Sequence, residues 1–314
     1  MPASAADAPC PEQAFNATAL KWHTCAWLLL PVLIFLAGWM HWYAALPLML
    51  LTAAGLAPRK CKEPQTRDSL PAFPLFTRSS FLALAAFAAL MTLSGWGEWV
   101  NQHPDHIVRN ACLRELVASP WPVIFPDGNM LVYNTGFWLV PALAGKLAGL
   151  DAARVFVVLW GTWGLFLTWL WLCVFSGRRS LLLALLMAAF GSLLNIQCWL
   201  GLDLFRLHYF GTAEQIMCSA NASIPVLLFF IFLASGRMPL PWIPLLFAAT
   251  AFYSPLAALG GLPLAACQWY RQWRGVPPLR DVLLHPSFSA SVLLGACFLL
   301  YCGTVNAPSS HMGM

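Results

Sequence analysis

The chain has 314 residues, of which 60% are hydrophobic and only 9% are charged, with a formal net charge of +5. A soluble globular domain is roughly half apolar and about a quarter charged, so this composition excludes an ordinary soluble fold and predicts an all-α polytopic membrane protein. The excess of positive charge falls in loops flanking apolar runs, so it calls for no nucleic acid partner.

Residues 1–20 are polar and rich in Ala and Pro, and predict a disordered N-terminal tail ahead of a single integral membrane domain over residues 21–314. Apolar runs suited to helices follow at Thr24–Met40, Tyr43–Ala57, Ser80–Trp96, Leu131–Leu150, Ala153–Phe175, Leu181–Leu200, Ala222–Ala234, Pro241–Phe252, Pro255–Tyr270 and Phe288–Val305. Several are shorter than the ~20 residues of a perpendicular span, which is tolerable where protein covers the free backbone. The first run is too long for a signal sequence and leads at once into the second, with no small-residue cleavage site between them. This predicts a membrane hairpin.

Between Ser80–Trp96 and Ala153–Phe175 lies a polar island, Glu98–Leu131. It holds Glu98, Asp105, Arg109, Arg114, Glu115 and Asp127, together with His103, His106, Trp99 and Trp121. Ionisable groups concentrated beside a membrane are candidates for chemistry or recognition.

Topology turns on Leu131–Leu150, which contains Tyr133, Asn134, Pro141 and Lys146 and is poor as a span. If it lies along the outer interface, Lys and Arg divide 12 inside to 5 outside; if it crosses, they divide 9 to 8. The positive-inside rule prefers the first arrangement. The expectation is nine crossings with the N-terminus inside, a large external loop over 97–152 and a second over 201–221.

Ten Cys show no CxxC and no Cys/His cluster at zinc-like spacing. Cys25, Cys173, Cys267 and Cys297 lie in apolar runs and read as small buried hydrophobes. Cys112 and Cys218 fall in the two external loops, where a disulfide between them is open if that side is oxidising. There is no internal repeat and no Walker, GxGxxG or HExxH motif.

One arrangement is familiar. A membrane helix ends, an acidic loop follows, then an apolar helix closes on Lys146-Leu147-Ala148-Gly149, and Ala152-Ala153-Arg154 opens the next span. This resembles the GT-C superfamily of integral membrane glycosyltransferases, which use lipid-phosphate-linked sugars. Within it, Asp105, Asn110, Trp121-Pro122-Val123 and Tyr133, with Tyr253-Ser254-Pro255 and Gly260-Gly261-Leu262-Pro263, are similar to a group of uncharacterised bacterial proteins. The resemblance covers about residues 80–305. It departs from the group pattern at His106, where a Trp is expected, and at Val108-Arg109, where a basic-His pair is expected. Members of the group also run past the last span found here, so the chain is expected to be a truncated or short form.

The resemblance implies jaw-like interfacial helices on the external loop, a catalytic acid there, a polyprenyl-phosphate-linked sugar donor, and the bacterial cytoplasmic membrane as location. Asp105 is then the candidate base, since a carboxylate can take the acceptor proton while the anomeric carbon gains positive character. The competing role for Asp105 is the N-cap of the run that follows it. Glu98 is a second candidate acid or metal ligand, or else a solvated interface carboxylate. His103, Asp105 and His106 would suit a divalent cation, although three groups in a loop fall short of a full ligand set, so the metal is left unassigned. Arg109 and Arg114 are candidates to clamp a phosphate, the alternative being pairing with Glu115 or lipid.

Asn110 enters as a substrate-side residue by resemblance, and Trp121 and Tyr133 as sugar-stacking rings or interfacial anchors. In the second loop, Arg206 and His208 are substrate-site candidates beside Asp203 and Glu214. The partners implied are membrane lipid and the lipid-linked donor; oligomeric state is not indicated. Two other readings stay open: a transporter or flippase for a lipid-linked or small polar substrate, and a non-catalytic membrane protein.

Overall fold

A computed structural model describes residues 14–15, 17–57, 73–74, 77–100, 102–190, 211–273 and 278–303. The described residues form helices α1 (Ala17–Trp39), α2 (Trp42–Leu56), α3 (Arg78–Leu93), α4 (Pro104–Ala118), α5 (Gly136–Ala148) and α6 (Leu150–Ser176). There follow α7 (Leu181–Ala189), α8 (Thr212–Ala234), α9 (Trp242–Tyr253), α10 (Pro255–Trp273), the single turn α11 (Leu279–Leu283) and α12 (Pro286–Gly303). Extended pairing is slight: Ala14–Phe15 runs antiparallel to Phe73–Pro74, and Ile124 bridges Met130.

Four segments are long and apolar enough to cross a membrane: Thr18–Trp39, Leu150–Ser176, Thr212–Ala234 and Pro286–Gly303. At 1.5 Å per residue, the 27 residues of α6 extend for about 40 Å against a hydrocarbon core of about 30 Å. The helices α2, α3, α5 and α9 are apolar but shorter, so among the described residues four elements meet the length of a perpendicular crossing. Large apolar side chains face outward, including Leu299 and Leu300 at 72% exposure each. Such a surface is suited to lipid rather than water.

The spine is α6, which packs on α5, α8, α3 and α1. Close approach is possible because Gly164 faces two neighbours. A Cβ there would lie 2.6 Å from Ile224 Cγ2 of α8 and 2.7 Å from Trp27 Cζ2 of α1. Small residues at such crossings let helix backbones approach in a lipid environment. The Trp27 ring stacks on Trp160 and on Tyr253, with centroids 5.0 and 5.3 Å away. Pro31 lies inside α1 and has no N–H for the Trp27 carbonyl four residues earlier. The Tyr253 hydroxyl donates to that carbonyl at 2.7 Å, so a group left unpaired by proline is satisfied from α9.

Several boundaries differ from the sequence reading. α8 begins at Thr212, so residues 212–221, assigned to the second external loop, are helical. α1 begins at Ala17, inside the stretch assigned to the tail, and Leu20 is buried. The segment Leu131–Leu150 becomes helical only at Gly136. Its first residues instead return from a hairpin in which Leu131 N–H donates to Val123 C=O and Asp127 accepts from Asn129, with Gly128 at φ 83°. The helix itself is covered rather than laid open on a surface: Phe137, Trp138, Leu139 and Ala142 are fully buried against its neighbours α4, α6 and α1. Gly149, at φ 90°, ends α5 and lets α6 start at the next residue.

Candidate functional site

The island folds mainly as α4, docked between α5 and α6. Its N-cap is His103, whose Nδ1 accepts from Asp105 N–H at 3.3 Å, with Pro104 in the first turn. Asp105 is therefore not the cap. Pro104 suits the first helical position, where a missing N–H costs nothing, and this moves the cap to His103, two residues before Asp105. The Asp105 carboxylate sits in the first turn, favoured there by the helix dipole, with its side chain 52% exposed. One oxygen, Oδ2, lies 3.6 Å from Arg109 and 3.7 Å from His103.

The opposing wall is α8, which breaks at Ser219 (φ −151°, ψ 45°). A break of this kind interrupts the i to i−4 ladder, and the preceding carbonyls need other donors. Each finds one. Gln215 C=O accepts from Ser223, Ile216 C=O from Trp96 Nε1 at 2.8 Å, and Met217 C=O from His106 Nε2 at 2.8 Å. Arg109 donates to Ser219 Oγ at 3.2 Å. Trp96 is the floor: its ring centroid is 5.0 Å from that of His106, and the Arg109 guanidinium lies 5.9 Å above it. His106 and Arg109 are buried. Burial holds the His106 imidazole below its ordinary range, and the Arg109 charge adds to this; the bond to Met217 and the Asp105 charge oppose it without reversing it.

The structure thus brings together Asp105, His106 and Arg109 and separates the other candidates. Glu98 belongs to an ion network. Its Oε2 accepts from Arg114 at 2.7 Å and from both Nε and Nη2 of Arg154, and Arg154 in turn donates to Asp151 at 2.8 Å. The Glu98 side chain is only 10% exposed. Burial raises its carboxyl pKa, but the hydrogen bonds from the two arginines outweigh burial and hold it below the ordinary value. A carboxylate held in this way is not a solvated interface acid. Arg114 is likewise engaged by Glu98 and does not join Arg109.

Asn110 braces the loop through Gln102, whose amide donates to Gly95 and Val100 carbonyls. Trp121 donates to Leu116 C=O, packs on Trp39 and carries Lys146 5.0 Å above its ring. Lys146 donates to Ser119 C=O at 2.6 Å, so these two residues close the C-terminal end of α4. That end lies about 20 Å along the helix from Asp105. Tyr133 contacts Trp138, which contacts Trp96, so it is separated from the cluster by one intervening ring. Arg206 and His208, with Asp203, lie outside the described residues.

Cys112 and Cys218 are both free thiols. Burial and the Glu115 charge push Cys112 up to about 12, and Cys218 Sγ lies 3.8 Å from His103 Nε2. Among the described residues no group of three His, Cys, Asp or Glu could hold a metal ion. An apolar crevice lined by Val32, Phe35, Ala248, Phe252, Leu294 and Phe298 lies between α1, α9 and α12. It holds no charged group, and the polar cluster rather than this crevice is where chemistry can occur.

Trp96, Met217, Ser219 and Arg154 are site residues that the sequence reading passed over. Only Arg154 carried a signal, as the i+3 partner of Asp151. No family model, no curated protein and no solved structure matches this chain.

Proposed function

We propose that the chain is a membrane glycosyltransferase of the GT-C type, moving a sugar from a polyprenyl-phosphate-linked donor to an acceptor on the external face. The observation that carries this reading is the pairing of a half-exposed carboxylate, Asp105, with a buried guanidinium, Arg109, at 3.6 Å. Asp105 takes the proton of the acceptor hydroxyl as the oxygen bonds to the anomeric carbon. Arg109 faces the phosphate leaving group and offsets its growing negative charge. Glu98 holds α4 to α6 and takes no chemical part.

In this arrangement α1, α2, α3, α6, α7, α8, α9, α10 and α12 cross the membrane, the shorter ones within the bundle. The helices α4 and α5 stand on the external side, and the N-terminus is inside. The break in α8 is the one feature that favours transport instead, since transporters bind substrates at interrupted helices. The ionisable groups that face the break, His106 and Arg109, come from α4, and this favours a surface reaction.

The test is complementation of a strain lacking the protein, read as its cell-envelope glycan profile. Wild-type chain restores the profile, and Asp105→Asn at equal membrane abundance does not. Full restoration by Asp105→Asn overturns Asp105 as the base. Topology is checked with a single Cys at Arg178 in a cysteine-depleted background. Labelling of that position from outside overturns the arrangement.

A further inference from the structure

Three buried nitrogens in the cluster have no hydrogen-bond partner: His106 Nδ1, Arg109 Nε and Arg109 Nη1. His106 and Arg109 are 1% and 8% exposed. Buried polar groups left unpaired are destabilising, a charged one most of all, so a ligand that completes them is favoured. Their polarity can be read from the geometry. His106 Nε2 lies 2.8 Å from a carbonyl oxygen and must carry the proton. In the neutral ring, Nδ1 is then a lone pair and can only accept. Arg109 can only donate. The two residues are three apart on α4 and share one face above the Trp96 ring.

A complementary ligand therefore offers a negatively charged oxygen to Arg109 and an O–H to His106. Sulfate and a phosphodiester offer only acceptors, and would set an oxygen lone pair against Nδ1. A phosphate that keeps one proton offers both groups. Asp105, 3.6 Å from Arg109, adds negative charge at the rim and disfavours the fully ionised form.

We infer that His106 and Arg109 form a binding site for a singly protonated phosphate monoester, selected over sulfate and phosphodiesters by the His106 Nδ1 lone pair. The inference deepens the transferase reading and rests on it for the origin of the ligand. When the sugar leaves a polyprenyl-phosphate donor, the C–O bond to phosphate breaks and the phosphodiester becomes a monoester. That product, unlike the donor, can carry the P–O–H that His106 accepts.

The test uses the full chain in detergent, titrated calorimetrically with inorganic phosphate and separately with sulfate. Wild type binds phosphate saturably and sulfate about tenfold more weakly or worse, as expected where a site's polar group is left unpaired by the wrong ligand. Arg109→Gln loses phosphate binding, and His106→Phe binds both anions weakly and alike. If either variant does not fold, the wild-type ratio of the two affinities decides alone. Equal binding of the two anions, no saturable phosphate binding, or unchanged binding in a folded Arg109→Gln overturns the site. Loss of transfer in Asp105→Asn without phosphate selectivity overturns this site and leaves the transferase reading intact. Phosphate selectivity with full transfer in Asp105→Asn overturns the base and leaves the site.

Discussion

Glu98 allows a stability prediction in which the backbone and the side chain pull in opposite directions. Its Oε2 gathers three N–H donors from Arg114 and Arg154, and its φ is +68°, in the left-handed region that a non-glycine residue occupies at a cost. The Arg114 contact is more than half exposed on the arginine side and contributes about 0.2–1 kcal/mol. The Arg154 contacts are more enclosed, with side chains 24% and 10% exposed, and contribute about 1.5–3 kcal/mol. Glu98→Ala should therefore destabilise the chain by about 2–4 kcal/mol.

Glu98→Gly loses the same contacts but removes a left-handed penalty of about 1–2 kcal/mol. It should be the more stable of the two variants by about 1 kcal/mol, the reverse of the usual order. Denaturant unfolding of the detergent-solubilised chain measures this. A glycine variant less stable than the alanine variant, or an alanine variant equal to wild type, would refute the reasoning. The carboxyl is held below its ordinary 4.5 in the fold, so its contribution is present above that value and is lost as pH falls through the depressed one. Glu98→Ala should lack that acid-side loss.

Three further outcomes follow from the same contacts. Trp96→Phe keeps the ring but leaves the Ile216 carbonyl without its donor, and should cost about 1–3 kcal/mol in the same unfolding assay. Gly164→Ala places a methyl against Ile224 and Trp27 and should destabilise by about 1–3 kcal/mol; a neutral effect would show that the α1–α6–α8 contact is looser than described. His106 is held below its ordinary 6.5, so the stability it contributes is complete above that value and declines as pH falls through the lower folded value. His106→Gln, which keeps a donor for Met217, should flatten that decline in a pH series of melting midpoints.

Much of the helical plan was legible because apolar runs and Gly or Pro boundaries report directly on lipid-facing helices. The starts of α2, α3 and α6 fall within a few residues of where composition puts them. The island stood out in the sequence because charge is rare in this chain, and the structure gathers three of its polar side chains, Asp105, His106 and Arg109, on one helix. What could not be read was which charges would pair. Glu98 and Asp105 are seven residues apart in similar sequence surroundings. A left-handed turn after Gly97 carries Glu98 toward Arg154, while Pro104 starts a helix that leaves Asp105 half exposed. Trp121 and Tyr133 stand with Asp105 in the family-like pattern, yet the length of α4 and the hairpin at Gly128 take them elsewhere. The break at Ser219 had no visible sign, since Cys218-Ser219-Ala220 is ordinary helix-compatible sequence and the distortion depends on donors from another helix.

That break makes two distant stretches of chain mutually dependent. His106 on α4 and Trp96 in the turn after α3 donate to carbonyls beside the break in α8, so sliding α4 along α8 by even one residue would strand the part-buried Met217 carbonyl, at about 1–3 kcal/mol. α4 is therefore held in a single position against the break. Amide exchange should show the two segments opening together, as one cooperative unit spanning more than a hundred residues of sequence.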